Sequence, residues 1–298
     1  MIDSIKAFFP EGAVNPEILA EVQPNGKEGF HGRLGNLYVS QMPDGVLISG
    51  SLQKQVRGEN VSMMTRGEYE EVIRGIETAT NLDSNRSIVR SVEIGATIPV
   101  DHPPRDYMAG WGTISRFPKF TYGDGTTVGY RVSRRSFQGY DKEREMKQKE
   151  RKALPPGFPG PHAIRLEYKI KCGMKAELGR TVNLLELTEE DTFTLLRNRW
   201  VSWYRRIPKA KVFAFESHPT TVWEFSRFLA VAGTLLIGQE ELDRMIKGIR
   251  TAGGCTTSTA SNMSKKVREL RAMPEICRTD SLARELDAKV EDLASREW

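Results

Sequence analysis

The sequence predicts an α+β fold in which a central, largely antiparallel sheet carries helices on one face and is followed by a small all-helical domain. Strand patterns dominate up to residue 171, whereas helical patterns occupy the chain from residue 188 onward. The 298 residues are enough for one large domain or two modest ones. His218-Pro219 precedes the last set of helices, so we expect one domain over residues 1–215 and a second over 219–298.

The elements of the first domain follow from periodicity and capping. Apolar residues with polar interruptions indicate a strand over 46–56, and alternation indicates another over 88–100. Between them, Thr65-Arg66-Gly67-Glu68 has capping-box spacing, which predicts a helix to about residue 80. The remaining elements predicted here are strands over 126–132, 135–140 and 164–171 and a charged helix over 142–152.

The rest of the chain is predicted to be helical. An acidic first turn at 188–191 opens a helix that carries Phe193, Leu196 and Trp200 at helical spacing. Four further helices are predicted over 222–232, 239–250, 262–273 and 282–294. The last one repeats leucine and valine at helical spacing, which indicates either packing or a dimer contact.

Charge is distributed unevenly along the sequence. The formal net charge is +5, yet residues 131–152 alone carry +5 and residues 197–211 carry +6, so the rest of the chain is net acidic. Basic residues confined to particular elements are typical of a protein that meets a polyanion.

Composition excludes several classes of protein. Three cysteines without a C-x-x-C pair exclude a disulfide framework and a thiolate zinc site, which favours a reducing compartment. No stretch approaches about 18 consecutive apolar residues, and no basic-then-apolar leader opens the sequence, so we expect a cytoplasmic protein with no membrane partner. No G-x-x-x-x-G-K-[ST] motif occurs, which argues against a P-loop NTPase.

Two glutamates on predicted strands are candidate ligands for a hard cation. Glu93 alternates with Val92 and Ile94, and Glu167 alternates with Leu166, so each lies on the polar face of its strand. On the uncovered face of one sheet, both carboxylates could converge on Mg²⁺ or Mn²⁺. The alternative is that each is a solvated residue paired with a cross-strand Arg or Lys.

Tyr140 is a candidate nucleophile. It ends a predicted strand and is followed by Asp141, Lys142 and Glu143, so its hydroxyl is delivered beside charged groups. A phenol with a pKa of ~10 becomes nucleophilic at neutral pH when a metal ion or an ammonium group stabilises the phenolate. The alternative is a tyrosine that packs at the rim of the sheet.

Four short motifs occur in the order found in one known family. Gly139 to Glu145 reads Y-x-K-x-x-E, and about twenty residues later Arg165 to Lys171 is similar to R-F-E-x-x-x-K. Upstream, Lys54 to Val61 is similar to K-x-x-x-G-H-N-V, and Val89 to Glu93 falls where the family has a strand ending in R-I-D. Together with the start Met1-Ile2-Asp3, residues 1 to 205 resemble the rolling-circle replication initiators of filamentous phages, the gene II type family, and more distantly plasmid Rep proteins.

The resemblance implies a replication-initiator core, like that of the HUH nucleases, and a site-specific endonuclease and strand transferase. Such an enzyme nicks one strand at an origin through a tyrosine, forms a 5′-phosphotyrosyl link and rejoins the strand. By position, Tyr140 is the implied nucleophile, Lys142 stabilises developing negative charge, and Glu145 is a third carboxylate or proton acceptor. The implied ligands of Mg²⁺ or Mn²⁺ are Glu93, Glu167 and Glu59.

Two of these positions depart from the family, and two other functions stay open. Glu59 stands where the family often has histidine, and Glu93 stands where it has aspartate. A relaxase of a mobile element would use the same chemistry. A non-catalytic, sequence-specific DNA-binding regulator would use the basic segments alone, with a structural Tyr140.

The resemblance implies origin DNA as the partner, either single-stranded or as a supercoiled duplex. It also implies a host helicase and the replication machinery. A homodimer is compatible with the sequence as well. Eight basic residues are the implied DNA contacts: Lys54, Arg131, Arg134, Arg135, Arg165, Lys169, Arg205 and Arg206. Aromatic residues between 101 and 125, and again between 200 and 204, favour core packing but also suit stacking on single-stranded DNA.

Overall fold

A computed structural model of the chain describes residues 1–25, 29–213, 221–272 and 277–296. Ten strands form one large sheet: β1 (Ile2–Pro10), β2 (Ala20–Pro24), β3 (Phe30–Leu34), β4 (Leu37–Met42), β5 (Gly45–Ser51), β6 (Ile88–Val100), β7 (Lys119–Tyr122), β8 (Thr127–Arg131), β9 (Arg135–Asp141) and β10 (His162–Ile170). Their order is β2-β3-β4-β5-β1-β6-β10-β9-β8-β7, and every neighbouring pair is antiparallel. A second sheet pairs β11 (Lys211–Phe213) with β12 (Cys277–Thr279). The predicted α+β class and antiparallel sheet are confirmed.

The described residues form ten α-helices: α1 (Leu52–Arg57), α2 (Arg66–Thr80), α3 (Pro104–Ala109), α4 (Lys142–Lys149), α5 (Met174–Leu178), α6 (Glu190–Arg205), α7 (Val222–Ile237), α8 (Gln239–Thr251), α9 (Thr257–Arg271) and α10 (Ser281–Ser295). In this part of the chain, none of them combines the length and the apolar character that crossing a bilayer requires.

The core lies on one face of the sheet, where α3, α6 and α10 contact the central strands. Alternation along β6 and β10 turns Ile94, Ile98 and Leu166 toward these helices, and all three side chains are buried. Trp200 of α6 is buried there too, and its indole N–H donates to the carbonyl of Leu166 at 3.1 Å. The opposite face is polar. Helices α1 and α4 border this polar face. The sequence predicted helices on one face of the sheet, whereas these two lie beside the other face.

Two local predictions have different outcomes. The capping box of Thr65 and Glu68 is present and starts α2 as predicted. The strand predicted over 46–56 is too long, because Ser51 ends β5 and its hydroxyl caps α1 by accepting from the amide of Lys54 at 3.1 Å. Residues 52–56 are therefore helical, which turns Lys54 toward the polar face.

The C-terminal helices fall into two groups. Helices α7, α8 and α9 contact one another, whereas α10 packs against α6, α3 and β6. Leu286, Val290 and Leu293 of α10 are buried in the main core, so the apolar stripe predicted for this helix is used in packing. The boundary predicted at His218-Pro219 lies outside the described residues.

Candidate active site

Cross-strand register places the predicted site residues side by side. Tyr140 of β9 pairs with Arg165 of β10, and Lys169 of β10 pairs with Glu93 of β6. Directly opposed residues of an antiparallel ladder project from the same face. Glu167 lies between the two β10 residues at the same parity, so all five belong to the polar face of the sheet.

Glu167 is the centre of this arrangement. Tyr140 Oη donates to Glu167 Oε1 at 2.7 Å, and Arg165 Nε donates to the same oxygen at 2.8 Å. The side-chain amide of Gln138 donates to Oε2 at 2.9 Å. Both carboxylate oxygens are thereby held in place, with one of them directly against the phenol.

The phenol of Tyr140 is protonated at rest. Its side chain is 8% exposed, and burial, together with the adjacent negative charge of Glu167, raises the pKa of Tyr140 well above its ordinary value of 10. A nucleophilic Tyr140 therefore needs a base, and Glu167 already accepts its hydrogen bond. The sequence predicted Glu167 as a metal ligand. In the structure its carboxylate also accepts the hydrogen bond from Tyr140.

The prediction of Arg165 as a DNA contact is wrong because its guanidinium is buried within the protein. The side chain is 1% exposed and forms ion pairs with Asp3 and Glu167. It also donates to the carbonyl of Asn60 and to Thr97 Oγ1, the latter at 2.9 Å. Arg165 is thus a positioning residue that holds two carboxylates of the site.

Asp3 was not predicted as a ligand, and the structure adds it to the cluster. Asp3, Glu93 and Glu167 each offer a carboxylate oxygen, and these oxygens lie within 4.8 Å of one another. Asp3 accepts from Ser51 Oγ at 2.6 Å and from Asn60 Nδ2 at 2.7 Å. The available signal was an aspartate next to Ile2 in a strand that also carries Ile5, Ala7 and Phe9, because a carboxylate buried in such a strand needs polar partners.

The carboxylates differ in their electrostatics. Burial opposes ionisation of Asp3, but Arg165 and the two hydrogen bonds outweigh it and hold the pKa of Asp3 below its usual value. For Glu93, burial and then the neighbouring charge of Glu167 raise the pKa to about 7, although Lys169 Nζ lies 2.9 Å from Glu93 Oε2. Two cations therefore do not fully neutralise three carboxylates.

These residues fit a hard divalent cation. Three carboxylates that converge from β1, β6 and β10 supply the oxygen donors that Mg²⁺ and Mn²⁺ prefer. Burial and then the charge of Glu167 raise the pKa of Glu93, and a bound cation would oppose both effects by stabilising the ionised carboxylate.

Glu59 does not join this cluster. Its carboxylate accepts hydrogen bonds from the backbone amides of Val61 and Ser62 and so closes the turn after α1. The position that the sequence assigned to Glu59 in the cluster is taken by Asp3.

Lys142 and Glu145 form a pair of their own at the start of α4. The Lys142 side chain is 1% exposed, and its Nζ donates to Glu145 Oε2 at 2.7 Å. Burial lowers the pKa of Lys142, and Glu145 opposes that shift. Glu167 accepts the hydrogen bond of the Tyr140 phenol, and the cation that donates to Glu167 is Arg165. The sequence predicted Lys142 in this place.

A cavity of about 490 Å³ opens above the polar face. Tyr140 and the three carboxylates line its floor, and α1, α4 and the β7–β8 hairpin line its sides. Lys54, Arg144 and Lys149 contribute positive charge to the walls. Asp141 and Glu145 line the walls as well, and Lys149 pairs with Glu145 at 3.2 Å, so walls of mixed charge surround an acidic floor.

The other predicted DNA contacts lie in different surroundings. Arg131 and Arg134 are exposed near the β8–β9 turn. Lys54 is paired with Glu150 at the cavity wall. The remaining predicted contacts are already engaged with neighbouring side chains: Lys169 with Glu93, Arg135 with Glu177, Arg205 with Glu291, and Arg206 with the rings of Phe117 and Trp203.

The aromatic residues divide into two groups. Trp200, Trp203 and Tyr204 of α6 are buried, and so are Tyr107 and Trp111, so these five pack in the core. Phe120 and Tyr122, which belong to the same segment, lie on β7 and reach the polar face.

No protein-family model matches the chain, and a search of the curated proteins finds no match either. The geometry of this site and the short motifs that contain its residues are therefore the features that indicate a function.

Proposed function

We propose that this chain is a metal-dependent DNA endonuclease and strand transferase with Tyr140 as its nucleophile, of the kind that initiates rolling-circle replication. The observation that carries the proposal is the 2.7 Å hydrogen bond from Tyr140 Oη to Glu167 Oε1 on the floor of an acidic cavity. Tyr107 and Tyr204 also donate to carboxylates, at Glu285 and Asp287, but the partner of Tyr140 belongs to a cluster of three carboxylates that lines a cavity. Arg144 on the cavity wall is a cation that suits contact with a phosphate backbone.

In the proposed reaction, Tyr140 Oη attacks the phosphorus of a phosphodiester. As the Oη–P bond forms, the phenol proton passes to Glu167 Oε1, and the bond from phosphorus to the 3′ oxygen breaks. Solvent supplies a proton to the departing 3′ oxygen, which leaves as a hydroxyl, and Glu167 returns its proton to solvent, so the net charge does not change. The protein is left linked to the 5′ phosphate, and the reverse reaction rejoins the strand.

Arg165 supports this step without touching the substrate. Its positive charge opposes the rise in the pKa of Tyr140 and stabilises a developing phenolate. Its ion pairs with Asp3 and Glu167 keep two carboxylates on the cavity floor.

Asp3, Glu93 and Glu167 are the residues that would hold Mg²⁺ or Mn²⁺. When bound, the ion supplies a Lewis acid for phosphoryl oxygens. Glu93 binds a cation best when ionised, and because its pKa is about 7, a cation bound at neutral pH displaces the proton from about half of the molecules.

The test is covalent capture. The purified protein is incubated with Mn²⁺ and single-stranded oligonucleotides that tile candidate origins, and the products are resolved on a denaturing gel. We expect a protein–DNA adduct of the 5′ product and a free 3′ hydroxyl on the other fragment. Tyr140→Phe should abolish the adduct, because the attacking oxygen is removed.

Tyr130→Phe is the matched control for that variant. Tyr130 is another buried tyrosine of the sheet, but its hydroxyl donates to the carbonyl of Gly112 at 2.6 Å, away from the carboxylates. This variant should keep adduct formation. Equal adduct formation by Tyr140→Phe, or no adduct on any tiled oligonucleotide, would reject the nucleophile; specific binding of the same DNA without an adduct would favour the regulator.

A further inference from the structure

The β7–β8 hairpin presents aromatic rings and a cation on the same face as Tyr140. Tyr122 is 55% exposed and lines the cavity. Its ring centroid lies 5.1 Å from that of Phe120, and the guanidinium of Arg131 lies over the Phe120 ring at 4.7 Å. The three side chains form a short ladder, which we call the hairpin ladder.

Register connects the hairpin ladder to the candidate active site. Tyr122 pairs with Thr127, and Thr127 pairs with Tyr140, so the two tyrosines stand in one row two strands apart. Two strand spacings are about 10 Å. In the next row Phe120 pairs with Gly129. The ladder is therefore continuous with the floor of the cavity.

Gly129 lets the Phe120 ring lie against the backbone of β8. A Cβ at residue 129 would come within 2.5 Å of the Phe120 ring and 2.7 Å of the carbonyl oxygen of Phe137. With glycine there, the ring lies over the sheet beside Tyr122. The ladder thus has a supported surface, although it stands at the edge of the sheet.

Core packing does not account for Tyr122. Tyr107 and Trp111, from the same stretch of sequence, are 3% exposed and face α10 or the sheet interior, whereas Tyr122 leaves more than half of its surface open. An open ring beside a cation favours a ligand that has flat apolar rings and negative charge together.

We propose that the hairpin ladder is a stacking platform for single-stranded DNA, on which bases next to the scissile phosphate lie against Tyr122 and Phe120. This inference rests on the proposed function, since it places the strand relative to Tyr140. Stacking uses the faces of the bases and is sequence-tolerant. Arg131, whose guanidinium lies over the Phe120 ring, supplies positive charge for a phosphate backbone beside the rings.

The test measures how tightly the full chain binds a fluorescein-labelled oligo-dT of about 20 nucleotides. The readout is fluorescence anisotropy, in buffer without divalent ions. Tyr122→Ala should weaken binding by about 5- to 100-fold, the range for the loss of one stacked base. Tyr122→Trp should restore it. Thymidine monophosphate should compete far more weakly than the oligonucleotide, whereas equal competition would identify a nucleotide pocket and overturn the inference.

Tyr38→Ala is the matched control, because Tyr38 is also a partly exposed strand tyrosine. It lies on β4 in the other half of the sheet and packs on the ring of His31 at 5.3 Å. This variant should bind oligo-dT like the unaltered protein. Tyr122→Ala with unchanged affinity, or an equal loss in Tyr38→Ala, would overturn the inference.

The two proposals fail separately. If the adduct forms and Tyr122→Ala binds normally, the stacking platform is wrong and the proposed function stands. If binding depends on Tyr122 but no adduct forms with Mn²⁺, the nucleophile assignment is wrong and the platform stands. Tyr140→Phe should leave the affinity for oligo-dT within about twofold, because it removes one oxygen atom from the cavity floor and nothing from the ladder.

Discussion

Replacing Glu93 by glutamine should stabilise the folded chain above neutral pH when no divalent ion is present. The pKa of Glu93 is about 7 in the folded chain against an ordinary value of 4.5, so the folded state binds this proton more tightly than the unfolded state. Between these two values the unfolded state releases its proton first, and stability falls as the pH rises. Above pH 7 the full penalty is present.

The magnitude follows from the same two values. Each pKa unit corresponds to about 1.4 kcal/mol, so the ionised carboxylate of Glu93 costs the folded state about 3 kcal/mol above pH 7. Glutamine cannot ionise and escapes this penalty, which is already net of the 2.9 Å ion pair with Lys169 because that pair lowers the pKa of Glu93; the amide must still fit the space of the carboxylate. We therefore expect a net gain of about 1 to 3 kcal/mol at pH 8 and almost none near pH 4.5.

The assay is urea unfolding in EDTA from pH 4.5 to pH 8, followed by the fluorescence of the buried Trp200 and Trp203. Glu291→Gln is the control with the opposite sign, because the hydrogen bond from Arg205 lowers the pKa of Glu291. That variant should be slightly less stable at neutral pH. A Glu93→Gln protein that is no more stable at pH 8, or whose gain is the same at every pH, would refute the reasoning.

Other substitutions test the scaffold of the site. Arg165→Leu leaves two buried carboxylates unpaired and should cost about 3 to 5 kcal/mol in urea unfolding, whereas Arg205→Leu, at an exposed pair, should cost less than about 1 kcal/mol. Similar losses in both would contradict the role given to Arg165. Gly95→Ala would bring a Cβ within 2.8 Å of Arg165 Nη2 and should cost about 1 to 3 kcal/mol and reduce adduct formation. Gly75→Ala, which meets nothing within 4 Å on α2, should instead gain about 0.5 to 1 kcal/mol; a neutral Gly95→Ala would show that the guanidinium can shift freely.

Local patterns predicted much of the fold because they depend on nearby residues. Alternation put Glu93 and Glu167 on polar faces, and the spacing of Thr65 and Glu68 predicted the start of α2. Both signals are complete within a few residues of chain. The start of α1 was missed because a serine cap competes with an apolar strand pattern over the same residues.

The parts of the site that the sequence did not predict depend on pairings between distant segments. Asp3 reaches Glu93 and Glu167 only because β1 lies beside β6 in the centre of the sheet, and no spacing in the sequence encodes that neighbour. Parity placed Arg165 on the polar face correctly, but it could not show that Asn60 and the turn after α1 cover the side chain. Burial, and with it the change from DNA contact to positioning residue, is a tertiary property.

The charge of the site implies an order of binding. Three carboxylates face the cavity floor with two cations among them, so a phosphodiester that approaches Tyr140 meets a net negative surface. A divalent ion reverses that sign, whereas the hairpin ladder lies outside the acidic cluster and carries its own positive charge at Arg131. We therefore expect single-stranded DNA to bind the ladder with or without Mn²⁺, and the scissile phosphate to reach Tyr140 only after the ion. Oligo-dT affinity should then change little on addition of Mn²⁺ while adduct formation depends on it completely, and an adduct formed in EDTA would contradict this order.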